Sequence, residues 1–368
     1  MNLNTPHSGS QWDGKRQPFF EGWYYRLTLP AEREQTSQSL AFMYSIQAMG
    51  RTPATTMADR GGVGIQILGP DERYFSRCFS DLSGFWTWND RLGHGHRRMA
   101  IDPVKGSYVE SYSATAQQHA GQYYEPASGL LIRWSYSVNQ IYGWGHPQSP
   151  QSSTAGWFSR FQLFEPGWQI LMAHGLATGW FEWNDGLRHQ PARLEFSDAP
   201  AYAEKNWGGA FPRKWFWLQC NAFEQEQDLA ITSGGGIRNV LGWQESLAMV
   251  GIHHQGSFFE FVPWKGQIAW EVHPWGFWRV VAEQGSFVTE VVGSTREPGF
   301  QVKVPTSRGL EFLCRDTTRG HLSIRLWEKK GDKLAQIFRA ASEQAALEVG
   351  GEGWTTPWCG NSSLLGVG

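Results

Sequence analysis

The sequence predicts an all-β protein: antiparallel strands in two sheets or barrels of similar plan, with few short helices. Three observations carry that prediction. Aromatic residues make up 15% of the chain (21 Trp, 11 Tyr, 22 Phe) and are interspersed with 43 Gly and 18 Pro, a mixture that favours strands broken by turns. Short aromatic or β-branched runs bounded by turn residues recur along most of the 368 residues, whereas helical periodicity is weak. A faint internal repeat links the two halves.

The runs fall at residues 19–29, 40–47, 62–68, 130–138, 168–173, 214–222, 258–262 and 277–282, and their spacing reads as a meander of strands. The serine-rich stretch 148–155 reads as a loop, and Lys329-Lys330-Gly331-Asp332 as a hairpin tip. Residues 342–346 read as a short helix running into the strand-like Leu347-Glu348-Val349. In the repeat, Phe20-Glu21-Gly22-Trp23-Tyr24-Tyr25-Arg26 resembles Pro212-Arg213-Lys214-Trp215-Phe216-Trp217-Leu218. Each is followed by a second strand, 40–47 or 229–233, and a third, Val63-Gly64-Ile65-Gln66 or Val250-Gly251-Ile252-His253. Two domains follow, 1–195 and 196–368, with a substrate site expected near their interface.

Composition narrows the function. Hydrophobic residues are 40% and charged residues 18%, enough for a core and against disorder. Lys+Arg 32 against Asp+Glu 34 gives a net charge of −2, without the basic excess of a nucleic-acid groove. So many indoles exceed what a core requires: either the sheets are aromatic-packed or a large organic ligand lies among the rings. Cys78, Cys220, Cys314 and Cys359 lie far apart and form no C-x-x-C pair, which argues against a zinc knuckle or thiol redox site and fits a reducing compartment. Residues 1–10 are polar and resemble neither a signal nor a transit peptide. No apolar run approaches a membrane-spanning helix, so membrane contact, if made, is peripheral.

Cofactor motifs fail. The glycines of 62–69 have the wrong spacing for a dinucleotide fingerprint, Gly234-Gly235-Gly236 lacks the Lys-Ser/Thr of a phosphate loop, and G-x-S-x-G is absent. His253 and His254 would point to opposite faces of a strand. His94 and His96 could share a face, but Arg91, Arg97 and Arg98 around them disfavour a cation. Neither a metal nor a cofactor is expected.

The acids beside aromatics are the better candidates. Glu204, in Tyr202-Ala203-Glu204-Lys205-Asn206-Trp207-Gly208-Gly209, would stay protonated and able to donate if Trp and Tyr shield it; an interdomain salt bridge beside a glycine turn is the alternative. Glu21, in Phe19-Phe20-Glu21-Gly22-Trp23-Tyr24-Tyr25, is a second buried acid or the partner of a sheet arginine. Asp59-Arg60 reads as a turn ion pair. His174 is a proton relay, a partner for a ligand oxygen, or a satisfied core histidine.

Several stretches match a known family in order along nearly the whole chain. They are Thr5-Pro6-His7-Ser8-Gly9, Phe20-Glu21-Gly22-Trp23-Tyr24, Phe42-Met43-Tyr44-Ser45, residues 62–69, Ser153-Thr154-Ala155-Gly156-Trp157, residues 168–180, Glu204-Lys205-Asn206-Trp207-Gly208, Phe261-Val262-Pro263-Trp264 and Glu348-Val349-Gly350-Gly351. On these the sequence resembles the tocopherol cyclases of cyanobacteria and plastids and, more distantly, carotenoid 1,2-hydratases. The resemblance implies two lipocalin-like antiparallel β-barrel or sheet halves. It implies closure of 2-methyl-6-phytyl- or 2,3-dimethyl-6-phytyl-1,4-benzoquinol to a chromanol (δ- or γ-tocopherol) by an intramolecular lyase, without a cofactor.

The hydratases' aromatic-x-acid pattern falls on Tyr202 and Glu204, with Trp180 as aromatic neighbour; the hydratases have Asp where this chain has Glu204. Glu204 is the implied proton donor, and Glu204 or His174 the base. Trp180, Trp207, Asn206, Glu21 and Tyr25 are the expected substrate contacts. The expected partners are a phytyl-benzoquinol and membrane lipid, with no nucleic acid. The missing transit peptide implies a bacterial form on the cytoplasmic side of a thylakoid or other photosynthetic membrane. Three rivals remain: a non-catalytic prenylquinol or carotenoid carrier, a hydratase, and a carbohydrate-binding or glycosidase domain in which Glu21 and Glu204 flank a groove.

Overall fold

The aromatic runs pair as antiparallel strands in the computed structural model, which describes residues 5–29, 37–48, 61–102, 106–154, 166–185, 192–240, 243–306 and 309–361. The first eleven strands are β1 (Phe19–Leu29), β2 (Gln38–Ala48), β3 (Gly61–Leu68), β4 (Tyr74–Phe79), β5 (Phe85–Thr87), β6 (Gly93–Asp102), β7 (Gly106–Thr115), β8 (Gln118–Glu125), β9 (Leu130–Tyr142), β10 (Gly167–Asn184) and β11 (Ala192–Gly208). They form one sheet in the order β4-β3-β2-β1-β11-β10-β9-β8-β7-β6-β5. The remaining strands are β12 (Lys214–Cys220), β13 (Leu229–Val240), β14 (Trp243–His254), β15 (Ser257–Phe261), β16 (Gln267–Val272), β17 (Phe277–Gln284), β18 (Phe287–Ser294), β19 (Phe300–Thr306), β20 (Gly309–Lys330), β21 (Lys333–Gly351) and β22 (Trp358–Gly360). Their sheet runs β15-β14-β13-β12-β21-β20-β18-β17-β16-β22, with β19 on β20.

Each sheet curls around its own core. In the first, Phe42 of β2 meets His119 of β8 at 4.9 Å and Trp134 of β9 at 5.1 Å between ring centroids, although those strands stand several places apart in the sheet. Phe79 on the edge strand β4 stacks on His96 of β6 at 4.5 Å, bringing the two ends of the sheet together. The inward face of β1 carries Trp23, Tyr25, Leu27 and Leu29, every second residue, as strand geometry requires. In the second, Phe216 of β12 meets Trp358 of β22 at 5.8 Å, and His254 of β14 meets Phe338 of β21 at 4.2 Å. These are two curled, lipocalin-like antiparallel sheets of all-β architecture.

The strand plan repeats as expected: β4-β3-β2-β1-β11-β10 in one sheet corresponds to β15-β14-β13-β12-β21-β20 in the other. The residue alignment of the repeat does not carry over. Trp23 and Tyr25 face the first core, whereas Phe216 and Leu218 face the second and Trp215 lies outside it, a slip of one residue that reverses the faces.

Two expectations need correction. The boundary at 195/196 falls inside β11, which is paired into the first sheet; the two compact units divide after Trp207, and residues 144–150 count with the second. The helix at 342–346 is instead part of β21, where Phe338, Ala340 and Ser342 are buried and Arg339, Ala341 and Glu343 exposed, a period of two that only a strand satisfies. Among the described residues the one helical element is a single 3₁₀ turn at Pro70–Glu72. The hairpin tip at 329–332 is as expected, Lys330 facing Lys333 across Gly331 at φ 62°. Among the described residues no helix is long and apolar enough to cross a membrane. Asp59-Arg60, and Ala155-Gly156-Trp157 of the matching stretch 153–157, lie outside the described residues.

Candidate active site

Strand β11 presents two different chemistries on its two faces. Ala199, Ala201 and Ala203 belong to the core of the first unit. Alternation therefore turns Lys205 and Trp207 to that inner side, and Tyr202, Glu204 and Asn206 to the other.

On the outer side, the Tyr202 hydroxyl donates to Glu204 Oε2 at 2.6 Å, and the Trp168 indole Nε1 donates to the same oxygen at 2.9 Å. Tyr202 is 1% and Glu204 8% exposed, so both are buried, and Trp168 is half-buried. Tyr24 of β1 meets the Tyr202 ring edge-on at 6.4 Å, packing against the phenol that donates to the carboxyl. Asn206, half-buried, shares this side of the strand. With two donors converging on Oε2, that oxygen is fixed as the acceptor, and Oε1 becomes the atom that carries the proton when the carboxyl is neutral.

On the inner side the chemistry is structural. Lys205 Nζ lies 2.6 Å from Glu21 Oε1 and donates to the Gly9 carbonyl at 2.7 Å, with both side chains completely buried. Ser10 Oγ, Gln11 N and Trp12 N all donate to Glu21 Oε2, at 2.7, 2.9 and 3.0 Å. Burial lowers the Lys205 pKa, and the ion pair and hydrogen bond with Glu21 oppose that. The pair thus ties residues 9–12 onto the sheet. Glu21 is satisfied by a lysine of the same unit, not by an arginine, and this correction withdraws it from the substrate contacts. Trp207 sits on the same side, its ring 5.0 Å from Lys205 Nζ and 5.2 Å from the His7 ring. Because adjacent residues Glu204 and Lys205 point opposite ways and Glu21 joins the lysine, Glu21 and Glu204 cannot flank one groove, and the glycosidase arrangement is lost.

His174, buried on β10, pairs opposite Tyr142, whose ring is 6.2 Å away. The expected aromatic neighbour Trp180 lies elsewhere, twelve residues beyond Trp168 and about 40 Å along the strand. Its ring is capped by the Arg193 guanidinium at 4.3 Å. The indole that does reach Glu204, Trp168, opens the same 168–180 motif, and residue choice alone could not tell which tryptophan faces the acid.

Inside the first unit, behind Ala203, lies a cavity of about 390 Å³ lined in part by Tyr25, His119, Tyr136, Leu171 and Met172. It is backed by two buried Tyr–His–Tyr chains. The Tyr25 hydroxyl is 2.8 Å from His94 Nε2, and His94 Nδ1 lies 3.5 Å from the Tyr112 hydroxyl. The Tyr44 hydroxyl is 2.6 Å from His119 Nε2, and His119 Nδ1 bonds the Tyr136 hydroxyl. Burial lowers the His119 pKa to about 3 and the His94 pKa well below its usual value, while it raises Tyr25, Tyr44, Tyr112 and Tyr136. All six groups are therefore neutral at pH 7. Among the described residues, no group of three or more His, Cys, Asp or Glu is arranged to hold a metal ion.

Fold and site together define a two-unit, lipocalin-like β protein with a buried carboxyl dressed by a phenol and an indole. The chain belongs to the tocopherol cyclase-like family, whose model matches residues 17–351. It is 40% identical to "Tocopherol cyclase, chloroplastic" of Zea mays and to "Probable tocopherol cyclase, chloroplastic" of Oryza sativa subsp. japonica, over 98% of this chain and 81% of each relative. Among solved structures it shares its fold with CghA, at a TM-score of 0.53 and 9% identity over 96% of this chain and 93% of that one.

Proposed function

We propose that the chain is a tocopherol cyclase: an intramolecular lyase that closes 2-methyl-6-phytyl- or 2,3-dimethyl-6-phytyl-1,4-benzoquinol to the corresponding chromanol, with Glu204 as the acid. The observation that carries the assignment of the acid is the convergence of Tyr202 and Trp168 on one oxygen of the buried Glu204 carboxyl. The reaction class is supported by the two plant relatives named as tocopherol cyclases.

The steps balance without an external reagent. The proton on Glu204 Oε1 passes to the less substituted alkene carbon, and the positive charge develops on the tertiary carbon. Aromatic faces beside the carboxyl stabilise such a cation by about 0.5–2 kcal/mol each, more where water is excluded. The phenol oxygen, held at near-attack distance, closes the six-membered ring. The phenolic proton then returns to the Glu204 carboxylate, restoring the acid. No oxidation state changes, so the chemistry calls for no redox cofactor. Water at the cation would yield a tertiary alcohol instead, and the burial of Tyr202 and Glu204 favours ring closure over hydration.

The phytyl chain partitions into lipid, which supports peripheral association with a photosynthetic membrane on its cytoplasmic side. Flotation with vesicles tests that association.

Anaerobic incubation of the protein with reduced 2,3-dimethyl-6-phytylbenzoquinol in D₂O tests the reaction. The expected product is a chromanol bearing one deuterium at ring carbon 3, lost on Glu204→Gln by about 10²–10⁴-fold in rate. Wild-type turnover by Glu204→Gln would refute the assignment of the acid. Bound, unchanged quinol would identify a carrier, and a deuterated tertiary alcohol a hydratase.

A further inference from the structure

The cavity behind Ala203 has no part in the chemistry at Glu204. Ala203 lines it, and the adjacent Glu204 points to the opposite face of β11, so the strand itself separates cavity from acid. Among the described residues no carboxyl lines the cavity, and its histidine is neutral, so nothing there can protonate an alkene. At about 390 Å³ it falls at the small end of the range for small-molecule sites, room for a ring with short substituents but not a long prenyl chain.

Hydrogen-bond accounting gives the cavity a specific chemistry. A neutral imidazole has one N–H donor and one acceptor nitrogen. In each Tyr–His–Tyr chain, therefore, one phenol donates to the histidine and the other receives the histidine's proton. The second phenol keeps its own hydroxyl hydrogen unspent. In the chain through His119 the two phenols are Tyr44 and Tyr136, and Tyr136 lines the cavity; in the chain through His94 they are Tyr25 and Tyr112, and Tyr25 lines it. With His119 protonated at Nδ1, Tyr44 donates and Tyr136 is left to donate into the cavity. Leu92, Val138, Leu171 and Met172 supply an apolar wall. A charged ligand would find no buried counter-charge at this depth. Arg91, which lines the cavity with its side chain 65% exposed, is engaged over the Trp88 ring at 4.5 Å and near Asp90 at 3.8 Å.

We propose that this cavity is a second binding site, separate from Glu204, for an uncharged phenol or quinol ring, with His119 protonated at Nδ1 and the ring oxygen accepting the unspent hydroxyl hydrogen of Tyr136. The site is independent of the cyclisation reading and would exist were Glu204 inert.

Trimethylhydroquinone, a quinol ring with no prenyl chain and no alkene, serves as the probe, titrated anaerobically into the full chain by calorimetry. We expect one saturable site per chain, kept in Glu204→Gln, weakened about tenfold in Tyr136→Phe through loss of one buried hydrogen bond, and abolished in Val138→Trp, which fills the cavity. Tyr136→Phe keeps the shape of the core and so reports on the site even if Val138→Trp fails to fold. The proposal is overturned if the wild type shows no saturable binding, if Glu204→Gln loses it, or if Tyr136→Phe binds like the wild type. It is also overturned if decanoate, an anion with an apolar tail, displaces the quinol ring at lower concentration than the ring itself requires.

Discussion

Replacing Glu21 or Lys205 singly should damage the first unit far more than replacing both. At pH 7 a lysine abandoned in the core can avoid a buried charge only by losing its proton. From an ordinary pKa of about 10.4 that costs up to about 5 kcal/mol. An abandoned glutamate must take up a proton, which from about 4.3 costs up to about 4 kcal/mol. Glu21→Gln should therefore destabilise by about 3–5 kcal/mol, in line with other broken buried pairs. Lys205→Met should cost somewhat less, because Ser10, Gln11 and Trp12 still donate to Glu21 Oε2. In the double variant the side-chain amide at position 21 retains an acceptor oxygen for those three donors and no charge is stranded, so its cost should fall at least about 3 kcal/mol short of the sum.

The Glu21→Gln deficit should also depend on pH. In Glu21→Gln the folded pKa of Lys205 is lowered further, so the deficit persists through neutral and acid pH and shrinks only as pH rises toward 10. Urea denaturation followed by far-UV circular dichroism measures the costs, with hydrogen exchange in β1 assigning the transition to the first unit. Costs that add in the double variant to within about 0.5 kcal/mol would refute the buried pair as a coupled unit.

Removing one donor from the acid should be graded: Trp168→Phe and Tyr202→Phe should each lower kcat by about 10–100-fold with little change in KM, read from chromanol formation; unchanged kcat in both would detach the cluster from the reaction. His119 stays neutral down to about pH 3 when folded and takes up its proton near 6.5 when unfolded. Its contribution is thus complete above 6.5 and lost as pH falls, by about 1.4 kcal/mol per unit between pH 6 and 4, and urea titrations of His119→Phe should show a slope shallower by that amount. Cys78 and Cys359 are exposed while Cys220 and Cys314 are buried, with the Cys314 thiol pKa raised by burial. A thiol reagent should accordingly titrate two cysteines rapidly in the native protein and all four after denaturation.

Strand type was legible because aromatic and β-branched runs such as 19–29 and 62–68 have little alternative once turns bound them. The misreading of 342–346 shows the limit of that signal. Ala-Ser-Glu-Gln-Ala-Ala has high local helix propensity, and pairing with β20 overrides it, Ala341, Ser342 and Ala345 standing opposite Ser323, Leu322 and Gly320. The burial of Glu204 among aromatics, with Tyr202 on its carboxyl, was legible in its own sequence neighbourhood. Its indole partner was not: sequence distance favoured Trp207, and the motif suggested Trp180. Which indole reaches the carboxyl depends on the register between β10 and β11, a long-range quantity that local sequence does not encode.

The alternation of β11 accounts for how one short motif serves two purposes. Glu204-Lys205-Asn206-Trp207 reads as a single cluster, yet successive side chains leave the strand on opposite sides. The lysine's charge is spent on Glu21, in the interior, and is withheld from Glu204 by the backbone between them. A lysine on the same face as Glu204 would favour the carboxylate over the neutral acid.

The second unit shows the same division: Leu347 and Val349 of β21 face its core while Glu348 between them turns away, accepting from the Trp215 indole beside Cys314, its pKa raised by burial. Both sheets thus place a shielded carboxyl on the strand that pairs, or stands next, to their first strand. In the first unit a tyrosine hydroxyl two residues earlier on the same strand also reaches that carboxyl, and the corresponding position in the second, Ala346, has no group to donate. The duplicated plan supplies a buried carboxyl twice, and residue choice two positions away decides whether a hydroxyl of the same strand reaches it.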